Sequence, residues 1–226
     1  MKIRELIDGI QKRDIVLPEF ERECVWSQEQ AKQLMVSLVR DHPVGSVLFW
    51  KTDQPPEPKN VDELPEKLGM TQAILDGQQR LTTLHMLITG EIPPFYVKDD
   101  IRYDLRHLYF NLDTGDFQHD QLSRMKGNSL WWSVVDSYND ADINAFKTAQ
   151  QEASEALDVF ARAQGYNENL NTLRGVPGGE LPVQWMPPRA TVTEAIDIFD
   201  RVNSQGTRLT DAELALAHIT GEWPDG

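Results

Sequence analysis

The sequence has little cysteine and no long apolar run. Cys24 is the only cysteine among the 226 residues, which excludes a disulfide framework and a zinc site built on several thiolates. No apolar stretch approaches the length needed to span a membrane. Charged and apolar side chains alternate from Met1 to Ile10, unlike a signal peptide. We therefore expect a cytoplasmic protein without a membrane partner.

Basic residues are also scarce. Lysine and arginine number 22 against 36 aspartates and glutamates, which gives a formal net charge of −14. Phosphate contacts supply most of the affinity in non-specific nucleic-acid binding, so an acidic surface disfavours broad DNA binding. Contact with DNA would need a focused site, a bridging cation or another part of a larger protein. With 40% apolar residues, the chain has enough apolar material for a globular core.

Common catalytic and phosphate-binding motifs are absent. The sequence contains no Walker A loop, no G-x-S-x-G and no G-x-G-x-x-G motif. A bound nucleotide would therefore use a less common phosphate loop. The histidines show no paired spacing such as H-E-x-x-H, which disfavours a histidine metal site. They are His42, His85, His107, His119 and His218.

The sequence does contain a polar turn between a predicted strand and a predicted helix. Residues 72–75 favour a short strand, and Leu81, Leu84 and Leu87 have the one-sided spacing of an amphipathic helix. Backbone N–H groups and the positive end of a helix dipole at such a turn favour phosphate. The residues between strand and helix carry no apolar side chain: Asp76, Gly77, Gln78, Gln79 and Arg80.

A structural interpretation of this turn stays open. Asp76 and Gln79 have the spacing of a capping box, in which both side chains bond backbone amides. Gly77 would then only permit a tight turn. Capping does not account for Gln78 and Arg80, so a functional interpretation also stays open.

A segment before the second predicted helix supplies further candidates. Arg22 is placed to hold a phosphate while Phe20 or Trp26 packs on a base or sugar. The alternative is a surface ion pair between Arg22 and Glu21 or Glu23, with Trp26 in the core.

A third polar group lies near the C-terminus of the sequence. Phe199 and Val202 define the inner stripe of a predicted helix. Arg201 and Asn203 lie off that stripe, close to the helix end, where polar side chains can reach a neighbouring site. The alternative is C-cap chemistry with Gly206 as the left-handed residue.

The order of predicted elements favours an α+β fold. Up to residue 122 the order is helix, helix, strand, strand, helix, strand, and these residues form a predicted α+β domain. Ser27 and Gln30 form a capping box for the second helix.

Residues 123–226 are predicted to form a helical region that completes the site. A helical stretch begins at Leu130, and Asp140 caps a long helix that Gly165 ends. The remaining predictions are a loop over residues 167–180, a short strand over 181–185 and a helix capped by Thr193.

Three stretches together resemble a known family. In this order they are similar to the N-terminal domain of GmrSD-type, modification-dependent (type IV) restriction enzymes, which also occurs in SspE-like phage-defence proteins. The resemblance covers roughly residues 3 to 220. The stretches are L-P-E-F-E-R-E-C-V-W over 17–26, I-L-D-G-Q-Q-R-L-T-T-L over 74–84 and F-D-R-V-N-S-Q-G-T-R-L over 199–209.

The resemblance implies a ParB/sulfiredoxin-like α+β domain followed by helices. It also implies binding and hydrolysis of a nucleoside triphosphate, tied to the sensing of modified foreign DNA. The family's D-G-Q-Q-R motif falls on residues 76–80, and its aromatic-Gln-Arg motif falls on Phe20, Glu21 and Arg22. Glu21 replaces the family's glutamine. A carboxylate only accepts hydrogen bonds and repels phosphate, which counts against recognition of modified DNA at this position.

Such proteins continue into a C-terminal nuclease domain with an HNH-type histidine and asparagine cluster. The present sequence stops at Gly226 without such a cluster. We therefore expect a fragment or a stand-alone sensor, which works with a nuclease domain or subunit and does not cleave DNA alone.

These observations give a mechanism to test. Arg80 and the backbone amides after Gly77 would hold the phosphates. Asp76 would bind Mg²⁺ or polarise a water, while Gln78 or Gln79 would orient that water. A non-catalytic nucleotide- or DNA-binding module that regulates a nuclease and a purely structural domain stay open as alternatives. The flanking residues that would close the pocket are Arg22, Arg201 and Asn203.

Overall fold

The described residues of the chain form helices packed around two small sheets, which confirms the α+β prediction. The structure, a computed structural model, describes residues 1–21, 23–53, 57–60, 70–120, 125, 128–139, 145–152, 156–187 and 189–203. None of the helices within these ranges is long and apolar enough to cross a membrane. The α-helices are α1 Ile3–Gln11, α2 Gln28–Val39, α3 Gln78–Thr89, α4 Val134–Asn139, α5 Ala145–Glu152, α6 Ala156–Gly175 and α7 Val192–Asn203. The strands are β1 Ile15–Val16, β2 Val47–Thr52, β3 Thr71–Asp76, β4 Leu108–Asn111, β5 Phe117–His119, β6 Trp131–Ser133 and β7 Val183–Met186.

The larger sheet has the strand order β1-β3-β2-β7. Strand β3 runs parallel to β1 and antiparallel to β2, and β2 runs parallel to β7. The smaller sheet is antiparallel, in the order β5-β4-β6. Both sheets therefore combine strands from before and after residue 122. The predicted division at that residue and the ParB/sulfiredoxin-like likeness both stay predictions.

The two faces of the larger sheet bury different parts of the chain, because successive side chains on a strand point to opposite faces. On one face, Phe49 and Ile74 join the main core together with apolar residues of α1 and α3. On the other face, Trp50 and Leu75 pack with Ile196 of α7. The turn between β3 and α3 lies at one end of the sheet. Asp76, the last residue of β3, pairs with Leu48 near the start of β2.

Helix α3 is buried on almost every side, including its polar positions. Gln78, Gln79, Thr82, Thr83 and His85 are all buried. Buried polar groups cost free energy unless they are hydrogen-bonded. Thr83 Oγ1 donates to the Gln79 carbonyl at 2.7 Å, and His85 Nδ1 lies 3.1 Å from the Glu91 carbonyl. Burial lowers the pKa of His85, so its ring is neutral at pH 7.

The helix predicted to begin at Leu130 starts later. Residues 131–133 form strand β6, and α4 begins at Val134. Trp132 pairs with Phe110 of β4. This pairing with a distant strand, together with the strand preference of tryptophan, outweighs the local apolar pattern.

The prediction that Gly165 ends a helix is wrong. Helix α6 continues to Gly175, so residues 167–175 are helix instead of loop. Tyr166, Leu170 and Leu173 are buried at helical spacing on one face. Burial of three large side chains outweighs the cost of one interior glycine, roughly 1 kcal/mol.

The cap of α7 is also shifted by two residues from the prediction. Thr191 Oγ1 accepts from the Glu194 N–H, and Glu194 Oε2 accepts from the Thr191 N–H. Thr191 therefore caps this helix in place of Thr193. The capping box of Ser27 and Gln30 at α2 is confirmed.

Candidate functional site

The turn from β3 into α3 depends on Gly77. Its φ of 90° lies in the left-handed region that favours glycine. An added Cβ would lie 3.3 Å from the Val47 Cα and 3.2 Å from the Arg80 Nη2. Gly77 is the N-cap residue of α3, and no side chain caps it, so the predicted capping box of Asp76 and Gln79 is wrong. Both side chains are used elsewhere.

Substitution of Gly77 by alanine is expected to lower the free energy of unfolding by about 2 kcal/mol, because the side chain adds backbone strain and contacts with β2. Gly165 in α6 is the matched control, since an added Cβ meets nothing within 4 Å. There alanine is expected to raise stability by about 0.5 to 1 kcal/mol. Urea denaturation of both variants measures the difference. Equal destabilisation at the two positions would contradict this account.

Arg80 joins three parts of the site. Its Nη1 donates to the Val44 carbonyl at 2.9 Å, and its Nη2 donates to the Ser46 carbonyl at 2.7 Å. Nη2 also donates to Asp76 Oδ2 at 3.1 Å. Gly45 has a φ of 81°, and any side chain there would collide with Arg80 Nη1. The guanidinium therefore holds the 44–46 segment against the turn.

Asp76 is the carboxylate at the turn, and 31% of its side chain is exposed. Among the described residues, Arg80 is the group that bonds it. Within the described residues, no cluster of three or more metal-ligating side chains occurs. Mg²⁺ is usually held by one or two carboxylates together with waters and substrate phosphates. Asp76 therefore suits Mg²⁺ only where phosphate oxygens complete the coordination.

The Gln79 side chain holds the segment that precedes α2. Its Oε1 accepts from the N–H groups of Val25 and Trp26 at 3.1 and 3.2 Å. Its Nε2 donates to the Glu23 carbonyl at 2.9 Å. Only 7% of Gln79 is exposed. The amide is thus used to fix the backbone beside Trp26.

Gln78 is engaged in a similar way. The hydroxyl of Tyr96 donates to Gln78 Oε1 at 3.0 Å, and 6% of Gln78 is exposed. Neither Tyr96 nor the carbonyls of the 44–46 segment stood out in the sequence. The two glutamines would have to leave these bonds, or use their remaining hydrogen-bonding capacity, in order to orient a water.

Comparison with known proteins identifies the family. The profile described as "GmrSD restriction endonuclease, N-terminal domain" matches residues 3–220. The chain belongs to this family. The predicted resemblance to the N-terminal domain of GmrSD restriction endonucleases is confirmed.

A curated relative of the GmrSD-type domain is longer than the chain. It is an uncharacterized protein of Methanocaldococcus jannaschii, 25% identical over 241 aligned positions. The match covers 96% of the chain and 41% of the relative. The chain therefore spans about two fifths of the length of the curated relative that it matches.

The predicted DNA-contact residues of the GmrSD-type domain are buried. Phe20 is 8% exposed and packs with Trp50 and Leu75, and Glu21 is 3% exposed. Nearby, burial raises the pKa of the Cys24 thiol to about 11, so this cysteine is uncharged at neutral pH. Arg22 lies outside the described residues. The role of Phe20 and Glu21 in binding DNA stays a prediction, and it requires both side chains to become accessible.

Arg201 lines a cleft of its own on the GmrSD-type domain. It is exposed in the last turn of α7, and Asn203 is the final residue of that helix. The cleft has a volume of about 400 Å³ and is lined by side chains of both charge signs, the basic Arg189 and the acidic Glu194 and Asp197. The part that Arg201 and Asn203 take in closing a pocket over the turn stays a prediction.

A second cleft, of about 310 Å³, adjoins Arg80. Sequence reasoning missed its polar wall, which is one side of α2. The signal was present, because Gln30, Gln33 and Ser37 are spaced for a single helix face. The residues that line this cleft are Trp26, Glu29, Gln30, Gln33, Leu34, Ser37, Val44 and Arg80.

Proposed function

We propose that this GmrSD-type domain binds and hydrolyses a nucleoside triphosphate as the sensor of a modification-dependent restriction system in phage defence. A nuclease domain or subunit would carry out DNA cleavage. The turn at residues 76–80 would hold the phosphates. The supporting observation is that a left-handed glycine leads into a helix whose first turn places Arg80 beside an open cleft.

The backbone of the turn favours an anion. The first helical hydrogen bond of α3 joins the Leu81 N–H to the Gly77 carbonyl at 3.0 Å. The N–H groups of residues 78–80 precede it and are outside the helix's own hydrogen bonding. These donors lie at the positive end of the helix dipole, where phosphate is favoured. Arg80 adds a full positive charge in the same turn.

Asp76 sets the requirement for a cation. Its carboxylate repels a phosphate bound at the turn. Asp76, together with oxygens of the bound phosphate, would hold Mg²⁺, which would offset this repulsion and polarise a water. Asp76 in turn would keep Arg80 oriented through their hydrogen bond. Arg22, Arg201 and Asn203 would close the pocket from the flanking segments.

A second candidate is a regulatory module that binds nucleotide or DNA without hydrolysis. The hydrogen bonds of both glutamines favour it, since Gln79 fixes residues 23–26 and Gln78 accepts from Tyr96. In this case the turn would sense the ligand and transmit its presence to a separate nuclease domain.

Measurement of binding and phosphate release with Mg²⁺ distinguishes the two candidates. We expect Asp76→Asn to lower turnover roughly 100-fold and Arg80→Lys to weaken binding about 10-fold, because lysine lacks the planar fork. The matched controls are Asp158→Asn and Arg162→Lys, which alter an exposed ion pair of the same spacing on α6. Both controls should behave like wild type.

The outcomes separate the candidates. Binding without phosphate release, weakened in Arg80→Lys, supports the regulatory module. Equal turnover in wild type and Asp76→Asn would rule out the catalytic assignment. Absence of both binding and a thermal shift with nucleotide and Mg²⁺ would contradict both, because a ligand specific to the folded state stabilises it.

A further inference from the structure

The cleft beside Arg80 combines an aromatic ring with a polar helix face. Trp26 forms one side, and Glu29, Gln30 and Gln33 of α2 form another. Its volume of about 310 Å³ lies within the range of small-ligand sites. Arg80, which the proposed function assigns to the phosphates, lines the same cleft.

The position of Trp26 is fixed by its backbone and by partial packing in the core. It is half-buried, and part of it packs against the main core. Gln79 fixes its backbone N–H and that of Val25. A ring that is already ordered loses little conformational freedom when a planar ligand stacks on it. Aromatic side chains are common stacking partners for nucleobases.

Glu29 presents a carboxylate at the rim of the cleft. Its Oε1 accepts from Gln33 Nε2 at 2.7 Å, and its Oε2 lies 2.6 Å from Lys32 Nζ. The hydrogen bonds from Lys32 and Gln33 lower the pKa of Glu29, so the group is ionised at neutral pH and only accepts hydrogen bonds. The rim therefore offers adjacent acceptor and donor groups, with 62% of the Glu29 side chain exposed.

This arrangement discriminates among the bases. Guanine presents two neighbouring donors, N1–H and the 2-amino group, next to the O6 acceptor. The two donors suit the Glu29 carboxylate. Adenine presents N1 as an acceptor beside its amino group. A carboxylate repels the N1 acceptor. Uracil and cytosine present only one donor site on the corresponding edge.

We propose that Trp26 and Glu29 form the nucleobase subsite of the domain and select guanine, with Trp26 stacking on the base and Glu29 accepting from its N1–H and 2-amino groups. The assignment rests on the proposed nucleotide site at the turn, because Arg80 joins the two. It also predicts that a nucleoside without phosphates is recognised by its base.

Binding titrations with GTP, ITP, ATP and UTP test the subsite. Inosine lacks the 2-amino group, so ITP is expected to bind about 10-fold more weakly than GTP, as is usual for loss of a hydrogen bond to a charged group. In Glu29→Gln this difference should fall to about twofold or less. Glu168→Gln is the matched control, because Gln164 donates to Glu168 on exposed α6 in the way that Gln33 donates to Glu29.

Titrations with guanosine and adenosine separate this subsite from the phosphate site. Guanosine should bind more tightly than adenosine to wild type, Trp26→Phe should keep binding within about threefold, and Trp26→Ala should lose about 10-fold. Trp185→Ala, at a 46% exposed tryptophan on β7, should match wild type in nucleoside binding.

Equal binding of all triphosphates, or a GTP preference that persists in Glu29→Gln, overturns the subsite and leaves the phosphate site standing. Guanosine-selective binding without triphosphate binding supports the subsite and overturns the phosphate site. Absence of binding by any of the ligands overturns both.

Discussion

Arg80→Ala is expected to lower the free energy of unfolding by about 3 kcal/mol. The substitution removes the donors of the Val44 and Ser46 carbonyls and the cation that bonds Asp76. Only 18% of the Arg80 side chain is exposed, so water replaces these bonds incompletely. The largest local effect should be loosening of residues 44–46, which Arg80 ties to the turn.

Urea denaturation measures the loss, and the matched control is Arg162→Ala. Arg162 bonds Asp158 at 2.8 Å with the same four-residue spacing, but 40% of its side chain is exposed. Its removal should cost no more than about 0.5 kcal/mol. Arg80→Lys should lie between wild type and alanine, because lysine keeps the charge and cannot reach both carbonyls in the same way. An Arg80→Ala protein as stable as the Arg162→Ala control would show that the three contacts contribute little.

Local patterns predicted the elements whose signals lie within a few residues. The capping box of Ser27 and Gln30 is of this kind, as is the change from strand to helix on the two sides of Gly77. The order of predicted helices and strands likewise predicted the α+β class. These features need no knowledge of distant contacts, since a helix cap and an amphipathic stripe are determined by neighbouring residues.

Long-range contacts decided the features that the sequence could not predict. Gln79 and Val25 are 54 residues apart in the chain, and no local pattern links them. Asp76 and Gln79 have capping spacing, but no side chain caps the left-handed Gly77. Asp76 instead accepts from Arg80, and Gln79 bonds the distant backbone of residues 23–26. Strand β6 likewise forms where Trp132 meets Phe110.

The D-G-Q-Q-R motif therefore links three segments in addition to any role with a ligand. Gln79 binds the residues before α2, Arg80 binds the residues before β2, and Gln78 bonds Tyr96. Two of these segments, at Trp26 and Val44, line the cleft beside Arg80. A ligand that displaces the Arg80 or Gln79 bonds would thus move the walls of its own cleft. If the proposed ligand binds at this turn, the coupling would let the domain respond to occupation of the site.

Gln79→Leu tests the structural part of that role and is expected to lower the free energy of unfolding by about 2 to 4 kcal/mol. Leucine has a similar size and a good helix propensity, so α3 itself should persist. The loss comes from the N–H groups of Val25 and Trp26 and the Glu23 carbonyl, which would lose their partner. Amide hydrogen exchange at Val25 and Trp26 should accelerate by roughly 10-fold or more.

Comparison with Gln79→Glu and with Gln164→Leu separates structure from catalysis. A glutamate at position 79 keeps an acceptor for Val25 and Trp26 but cannot donate to the Glu23 carbonyl, so its stability should be intermediate. Gln164 is exposed on α6, and its replacement by leucine should change stability by less than about 0.5 kcal/mol.

If Gln79 acts through the backbone, turnover and nucleotide affinity in the Gln79 variants should fall together with protection of the Val25 and Trp26 amides. Lost turnover with unchanged affinity, stability and amide exchange would instead place Gln79 beside the attacking water.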